Sequence, residues 1–176
     1  MIELVEKAKA GNQNAFMELI DAIKVQLYKT ALVRLCNEQD ALDAIQETLV
    51  KAFSNIKTLR ENQFFKTWLI RILLNECNNI EQYRRKVILL DNTPDHTSQH
   101  PEQDSAMSMD IRDLTSKLDT IYKEVIDLRY NHDLKLEDIA VLLDIPVGTV
   151  KSRLNRAHKL LKEQLETSFP KKEVSL

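Results

Sequence analysis

Glycine and proline are nearly missing from this chain, with two of the first and four of the second in 176 residues. So few turn residues, among many Leu, Ile, Ala, Lys and Glu, predict a mostly helical protein. Cysteine is scarce as well. Cys36 and Cys77 lie in apolar helical patterns and read as reduced core thiols, which excludes a disulfide-stapled fold. Long hydrophobic runs are absent. The best stretch, "WLIRILL", is broken by Arg71 and falls short of the roughly 18 residues that a membrane span needs. The opening "MIELVEKAKAGN" carries early acids and no apolar signal core. A cytoplasmic protein without membrane insertion is expected.

Catalytic patterns are missing too. No nucleophile–base constellation, phosphate loop or metal cluster is visible, so no enzyme activity, cofactor, metal or small-molecule substrate is expected. His96 and His100 are four residues apart, but prolines flank them and no third ligand is near. The formal net charge of −2 gives no global attraction to nucleic acid.

What is present is uneven charge and strong periodicity. Asn37–Glu47 holds four acids and no base. Val147–Lys162 holds five Lys or Arg, one His and no acid. Three-to-four spacing predicts helices over Ile2 to about Gly11, over a continuous stripe from Phe16 through Leu35, over about Gln39–Ser54 and over about Gln63–Arg85. In the third, Leu42, Ile45, Leu49 and Phe53 are expected inward and the acids outward. In the fourth, Phe64, Trp68, Ile72 and Leu73 form the apolar side. "DNTPDHTSQHPEQDS", Asp91–Ser105, is almost free of apolar residues and reads as a polar tether. Periodicity resumes, with helices expected at about Ala106–Leu118, Asp119–Tyr130, Leu136–Leu143 and Val147–Leu165. The expected fold is all-α: two small helical domains, 1–90 and 106–166, joined by the acidic linker 91–105 and followed by a disordered tail, 167–176.

The last two helices meet across "LDIP", Leu143–Pro146, in a helix-turn-helix layout. Ala140 is small where helices must approach. Ile139, Leu143, Ile145, Val150 and Leu154 can close a core between them. Pro146 suits a helix start, and Asp144, at the tight turn, tolerates left-handed backbone better than most residues. Gly148, near a helix N-terminus, allows close backbone approach, and the free N–H groups there can hold a phosphate. Lys151, Ser152, Asn155, Arg156 and Lys159 fall largely on one side of the second helix. Its N-terminal part would enter a major groove, with Thr149 and Arg153 in the same segment. Arg or Lys can be bidentate to guanine and Asn to adenine.

"LKLEDIAVLLDIPVGTVKSRLNRAHKLL" resembles the −35-reading helix-turn-helix of bacterial sigma factors, most of all the extracytoplasmic-function (ECF) group. "QDALDAIQETLVKAF" is similar to that family's polymerase-binding helix, "FFKTWLIRILLNECNNIEQYRR" to its promoter-melting helix, and "KAGNQNAF" to its opening. The resemblance covers about residues 1–165. It departs at Lys135, where a capping Ser or Thr is common, at Asp133, where Gly is common, and at Asn155 and His158.

The resemblance implies two sigma domains, region 2 over 1–90 and region 4 over 106–166. It implies that Asp40, Asp43, Gln46 and Glu47 face the clamp helices of core RNA polymerase, where an acidic face can also steer association. It implies that the loop Ser54–Gln63 and the helix after it read and melt the −10 element. There Arg60, Asn62, Phe64, Phe65, Lys66, Arg71 and Asn75 would meet single-stranded bases and backbone, with Arg84 and Arg85 on duplex phosphates; the packing pattern shared with Leu69 and Ile72 puts Trp68 in the core, and Phe64 can equally be core. The linker, with six acids and one base between Asp91 and Asp113, would thread a nucleic-acid channel. An inhibitory anti-sigma factor is a further implied partner. Two other readings compete: a stand-alone helix-turn-helix regulator, and a helical-bundle enzyme with a basic helix.

Overall fold

In the computed structural model the described residues are 1–91 and 118–168, with side chains described over 1–87 and 118–167. All regular structure among them is helical, and the chain divides into two compact units, Met1–His100 and Pro101–Leu176.

The first unit begins with α1 (Ile2–Lys9), which ends before Gly11, at a left-handed φ of 97°. Asn12 then caps α2 (Gln13–Asp21), its side-chain oxygen accepting from the Ala15 N–H at 3.1 Å. The apolar stripe from Phe16 to Leu35 predicts one helix, but the structure has two. The chain leaves helical geometry at Ile23 (φ −129°, ψ −4°) before α3 (Lys24–Leu35). Ile23 stays buried across the break, as do Leu19, Ile20 and Leu27 on either side. The apolar spacing therefore carries no sign of the interruption, and the N-terminal unit has five helices among its described residues where four are expected.

Cys36 ends α3 in the left-handed region at φ 51°. Asn37 caps α4 (Glu38–Asn55) through the Asp40 N–H at 2.9 Å, and the Tyr28 hydroxyl donates to the Glu38 carboxylate at 3.2 Å. Burial, followed by that carboxylate, pushes the Tyr28 phenol above its ordinary range. Two short 3-10 turns, Ile56–Thr58 and Asn62–Phe64, lead into α5 (Phe65–Asp91).

The inward face of α4 differs from the expected one. Ala41, Ala44, Thr48 and Ala52 are buried, whereas Leu42 and Phe53 are 47% and 46% exposed and Ile45 and Leu49 are only half-buried. Small side chains let α4 lie close against α3 and α5, and interhelical distance follows the side chains at the contact. The buried Thr48 hydroxyl is satisfied by the Ala44 carbonyl at 2.6 Å. The bulk of this core comes from Leu19, Leu27, Phe65, Leu69, Ile70 and Leu73, all at most 1% exposed. Lys51 of α4 reaches the nearly buried Glu76 of α5 at 2.7 Å, and Arg34 of α3 reaches Glu81 at 3.1 Å.

In the second unit α6 (Thr120–Ile126) runs into a π-helical turn, Asp127–Asn131, where continuous helix to Tyr130 is expected. Asp127 and His132 are buried there, and Asn131 donates to the Asp127 carboxylate at 2.6 Å. Asp133 takes the left-handed conformation at φ 53°. α7 (Leu136–Leu143) starts at Lys135, which gives no side-chain cap. It ends at Asp144 (φ 52°, ψ 48°), whose N–H bonds to the Ala140 carbonyl. Asp144 thus fills the left-handed turn position that a glycine would usually take. α8 (Val147–Ser168) follows Pro146 at once, and Ile139, Ala140, Val150, Leu154 and Ala157 form the core beneath the turn. Of the expected helix Ala106–Leu118 only the buried Leu118 is described. The rest of it, the linker 92–105 and tail residues 169–176 lie outside the described residues.

Candidate functional site

The turn at Asp144 and the proline start of α8 decide which side of that helix meets solvent. Val150, Leu154 and Ala157 face the unit's core. Gly148, Lys151, Ser152, Asn155, Arg156 and Lys159 are all exposed, and Thr149 and Arg153 are partly so. Every recognition-helix residue singled out in the sequence therefore reaches the surface. The Ser152 hydroxyl turns back to the Thr149 carbonyl at 2.9 Å, and Lys159 lies 3.8 Å from Glu163. His158 sits beside this face, with Nε2 2.9 Å from the Tyr130 hydroxyl and the rings 5.8 Å apart.

Nothing lies within 4 Å of a Cβ built on Gly148. The fold does not require a glycine here, and the open space leaves the helix backbone approachable from outside. Gly148→Ala should therefore stabilise the protein by up to about 1 kcal/mol in thermal unfolding. If a phosphate lies against that backbone, the same change should weaken DNA binding despite the stiffer helix.

In the first unit the loop before α5 is anchored from within by Leu59, which is 5% exposed. Arg60 stands exposed beside it. Asn62 is half-buried, and its Oδ1 accepts from the Lys9 ammonium at 3.0 Å. The two neighbouring phenylalanines separate sharply: Phe64 is 49% exposed and Phe65 is 0% exposed. Phe65, expected among the base-contacting residues, has no surface with which to touch a base. It packs into the core, with its ring 6.1 Å from that of Trp68. Trp68, expected as core, is only half-buried. Arg71 and Asn75, one turn apart on α5, are both exposed, and Lys66 is partly so. Asn78, Asn79 and Gln82 continue an amide-rich exposed surface along the helix.

Asp43, Gln46 and Glu47 stand exposed on α4, with Asp43 accepting from the Gln39 amide at 3.3 Å. Asp40 differs from them. Its carboxylate pairs with the Arg84 guanidinium, tying the start of α4 to the far half of α5. One residue expected at a protein interface and one expected on DNA are thus engaged with each other. Arg85 is exposed, 4.0 Å from Glu81.

Two groups of residues in these surfaces escaped the sequence reading. Leu42, Val50 and Phe53 are 47%, 58% and 46% exposed on α4, next to the acids, and give that face an apolar component. The competing stripe Ala41, Ala44, Thr48, Ala52 was the signal for it, since a helix packed through alanines turns its larger side chains outward. Lys9 is the second. It opens the stretch "KAGNQNAF", but no local pattern signals its reach to a loop some 50 residues away. Among the described residues, no group of three or more His, Cys, Asp and Glu could hold a metal ion, and no helix is long and apolar enough to cross a membrane.

Comparison with known proteins agrees with this division. The profile for Sigma-70 region 2 matches residues 13–87, and that for Sigma-70 region 4 matches residues 108–161. The chain is 32% identical over 176 residues to the ECF RNA polymerase sigma factor SigW of Bacillus subtilis, covering 92% of this chain and 94% of SigW. It is 31% identical over 159 residues to the RNA polymerase sigma factor SigV of the same organism, covering 90% and 96%. Among solved structures it is similar to the sigma factor RpoE of Bartonella quintana, in a co-crystal with the anti-sigma factor NepR. The TM-score is 0.72 at 26% identity, over 86% of this chain and 96% of that one.

Proposed function

The chain belongs to the extracytoplasmic-function group of the sigma-70 family, a non-enzymatic factor that directs transcription initiation by RNA polymerase, and from that premise we propose which of its surfaces does what. The exposed face of α8 reads duplex DNA at the −35 element. The observation that carries this is the clean split of the helix, with Val150, Leu154 and Ala157 buried and Lys151, Ser152, Asn155, Arg156 and Lys159 exposed. Arg156 and Lys151 suit guanine edges and Asn155 suits adenine. The open backbone at Gly148 suits a phosphate against the helix N-terminus.

In the first unit, Asp43, Gln46 and Glu47, flanked by Leu42, Val50 and Phe53, dock on core polymerase. Acids supply steering and the apolar side chains supply buried area. The ion pair of Asp40 with Arg84 holds the start of this helix in register. Arg60, Asn62, Phe64, Arg71 and Asn75, with Trp68 alongside, form the surface for unpaired bases of the −10 element. An exposed ring offers a stacking platform, and arginines follow the backbone. Phe65 fixes the helix that carries them. Lys66 and Arg85 add positive charge along the path.

The relative seen with NepR suggests that this chain too is restrained by an anti-sigma protein, which would cover the α4 and α8 faces while both are exposed. Action beside polymerase places the chain in the cytoplasm.

Arg156→Ala should weaken binding of the holoenzyme to its promoter duplex by about 1–3 kcal/mol and relax selection at one base pair of the −35 element. A uniform loss over all sequences, with a shallower salt dependence, would make Arg156 a phosphate contact instead.

A further inference from the structure

The Lys9 ammonium makes two of the longest-range polar contacts of the first unit. Nζ donates to the Leu59 carbonyl at 2.7 Å and to Asn62 Oδ1 at 3.0 Å, some 50 residues further along the chain. Leu59 is buried, so its carbonyl is held on a fixed point of the core. Between the two contacts stands the exposed Arg60. The ammonium therefore closes the segment Leu59–Asn62 into a short brace against the end of α1.

The chemistry of the donor fixes more than position. An ammonium has three donors and no acceptor, so it can engage an asparagine only through the oxygen. With Oδ1 turned to Lys9 and one of its two lone pairs taken, the end of the Asn62 amide outside the brace is Nδ2, which only donates. We infer that Lys9 is a positioning residue for promoter opening: it orients the Asn62 amide so that the loop offers a hydrogen-bond donor to an acceptor edge of an unpaired base. A thymine or cytosine carbonyl or a purine ring nitrogen has such an edge, and an exocyclic amine does not. This rests on the proposal that the loop meets the −10 element, and the test separates the two.

Holoenzyme is reconstituted with the wild-type chain, Lys9→Met, Lys9→Arg, Asn62→Ala, Arg60→Ala and the Lys9→Met/Asn62→Ala double variant. Open complex is read by permanganate reactivity of thymines on a promoter the wild type uses. Lys9→Met keeps the apolar stem and removes only the donor. It removes both hydrogen bonds of Nζ and should lower open complex at least about tenfold, the factor expected from the charge-assisted bond to Asn62 alone. The double variant should be no worse than Asn62→Ala alone, because Lys9 acts through Asn62. Lys9→Arg, which can still donate to both oxygens, should restore much of the signal, and thermal midpoints and polymerase affinity should stay near wild type.

Asn62→Asp supplies a second probe. It keeps the brace, now as an ion pair, and removes the amide donor, so it should fold normally and open poorly. Wild-type opening by Lys9→Met alongside a defective Asn62→Ala would overturn the inference while leaving the loop proposal in place. So would additive losses in the double variant, which would mean that Lys9 acts through the Leu59 carbonyl or on DNA and not through the Asn62 amide. Wild-type opening by both Asn62→Ala and Arg60→Ala would remove the loop proposal and the inference with it.

Discussion

Phe65→Ala should destabilise the first unit by about 3–5 kcal/mol, the range for deleting a fully buried ring. The side chain is 0% exposed at the first position of α5, with its ring 6.1 Å from that of the half-buried Trp68. Its loss would leave a cavity where α5 takes its direction. Phe64→Ala, one residue earlier, should cost less than about 1 kcal/mol in stability, because half of that ring is already in water. In function the order reverses. Phe64→Ala in a folded holoenzyme should lower binding of single-stranded −10 oligonucleotides by roughly the 1–3 kcal/mol that one stacked base contributes. Phe65→Leu, which restores most of the volume, should bind them normally. Denaturant unfolding and oligonucleotide binding on the same three variants check the assignment. Equal instability of Phe64→Ala and Phe65→Ala would contradict the burial on which it rests.

The second large effect is expected at α4. Asp43→Lys with Glu47→Lys changes the charge of an exposed helix face by four units without touching the buried alanines. Association of the chain with core polymerase should slow by about 10–100-fold at low salt, and the difference should shrink as salt rises, since steering by exposed charges is screened. Thermal stability should hold, because neither side chain is packed. Stopped-flow association at several salt concentrations reads the rate directly. A rate unchanged at low salt would remove the acids from the docking face and leave Leu42, Val50 and Phe53 as its candidates.

Most of the helical layout is legible in the sequence. Scarce glycine and proline imply helix, the turn around Leu143–Pro146 fixes α7 and the start of α8, and the three-to-four spacing of apolar positions on α8 separates core from surface. Three features are not. The break at Ile23 is silent because a residue can stay buried while the backbone turns, so the stripe continues across it. The buried side of α4 was misjudged because large apolar side chains normally mark the core. Here close helix approach selects alanine and threonine instead, and Leu42 and Phe53 face outward. The π-helical turn at Asp127–Asn131 depends on buried polar contacts around Asp127 that no spacing rule encodes.

Site residues follow the same logic. Those on α8 could be placed from helix phase alone. Phe64 and Phe65 are adjacent and chemically identical, so only the packing of α5 separates them. The pairing of Asp40 with Arg84 and the reach of Lys9 to Asn62 join segments more than 40 residues apart, beyond any local pattern.

The central claim is that two separate units of one chain supply promoter selectivity to an enzyme that lacks it. Transcription in vitro from genomic fragments, with core polymerase alone and with the chain added, tests it most directly. The account predicts new transcripts only when the chain is present, starting at defined positions downstream of a shared pair of sequence elements at constant spacing. Starts that are identical with and without the chain, or that share no upstream element, would contradict it.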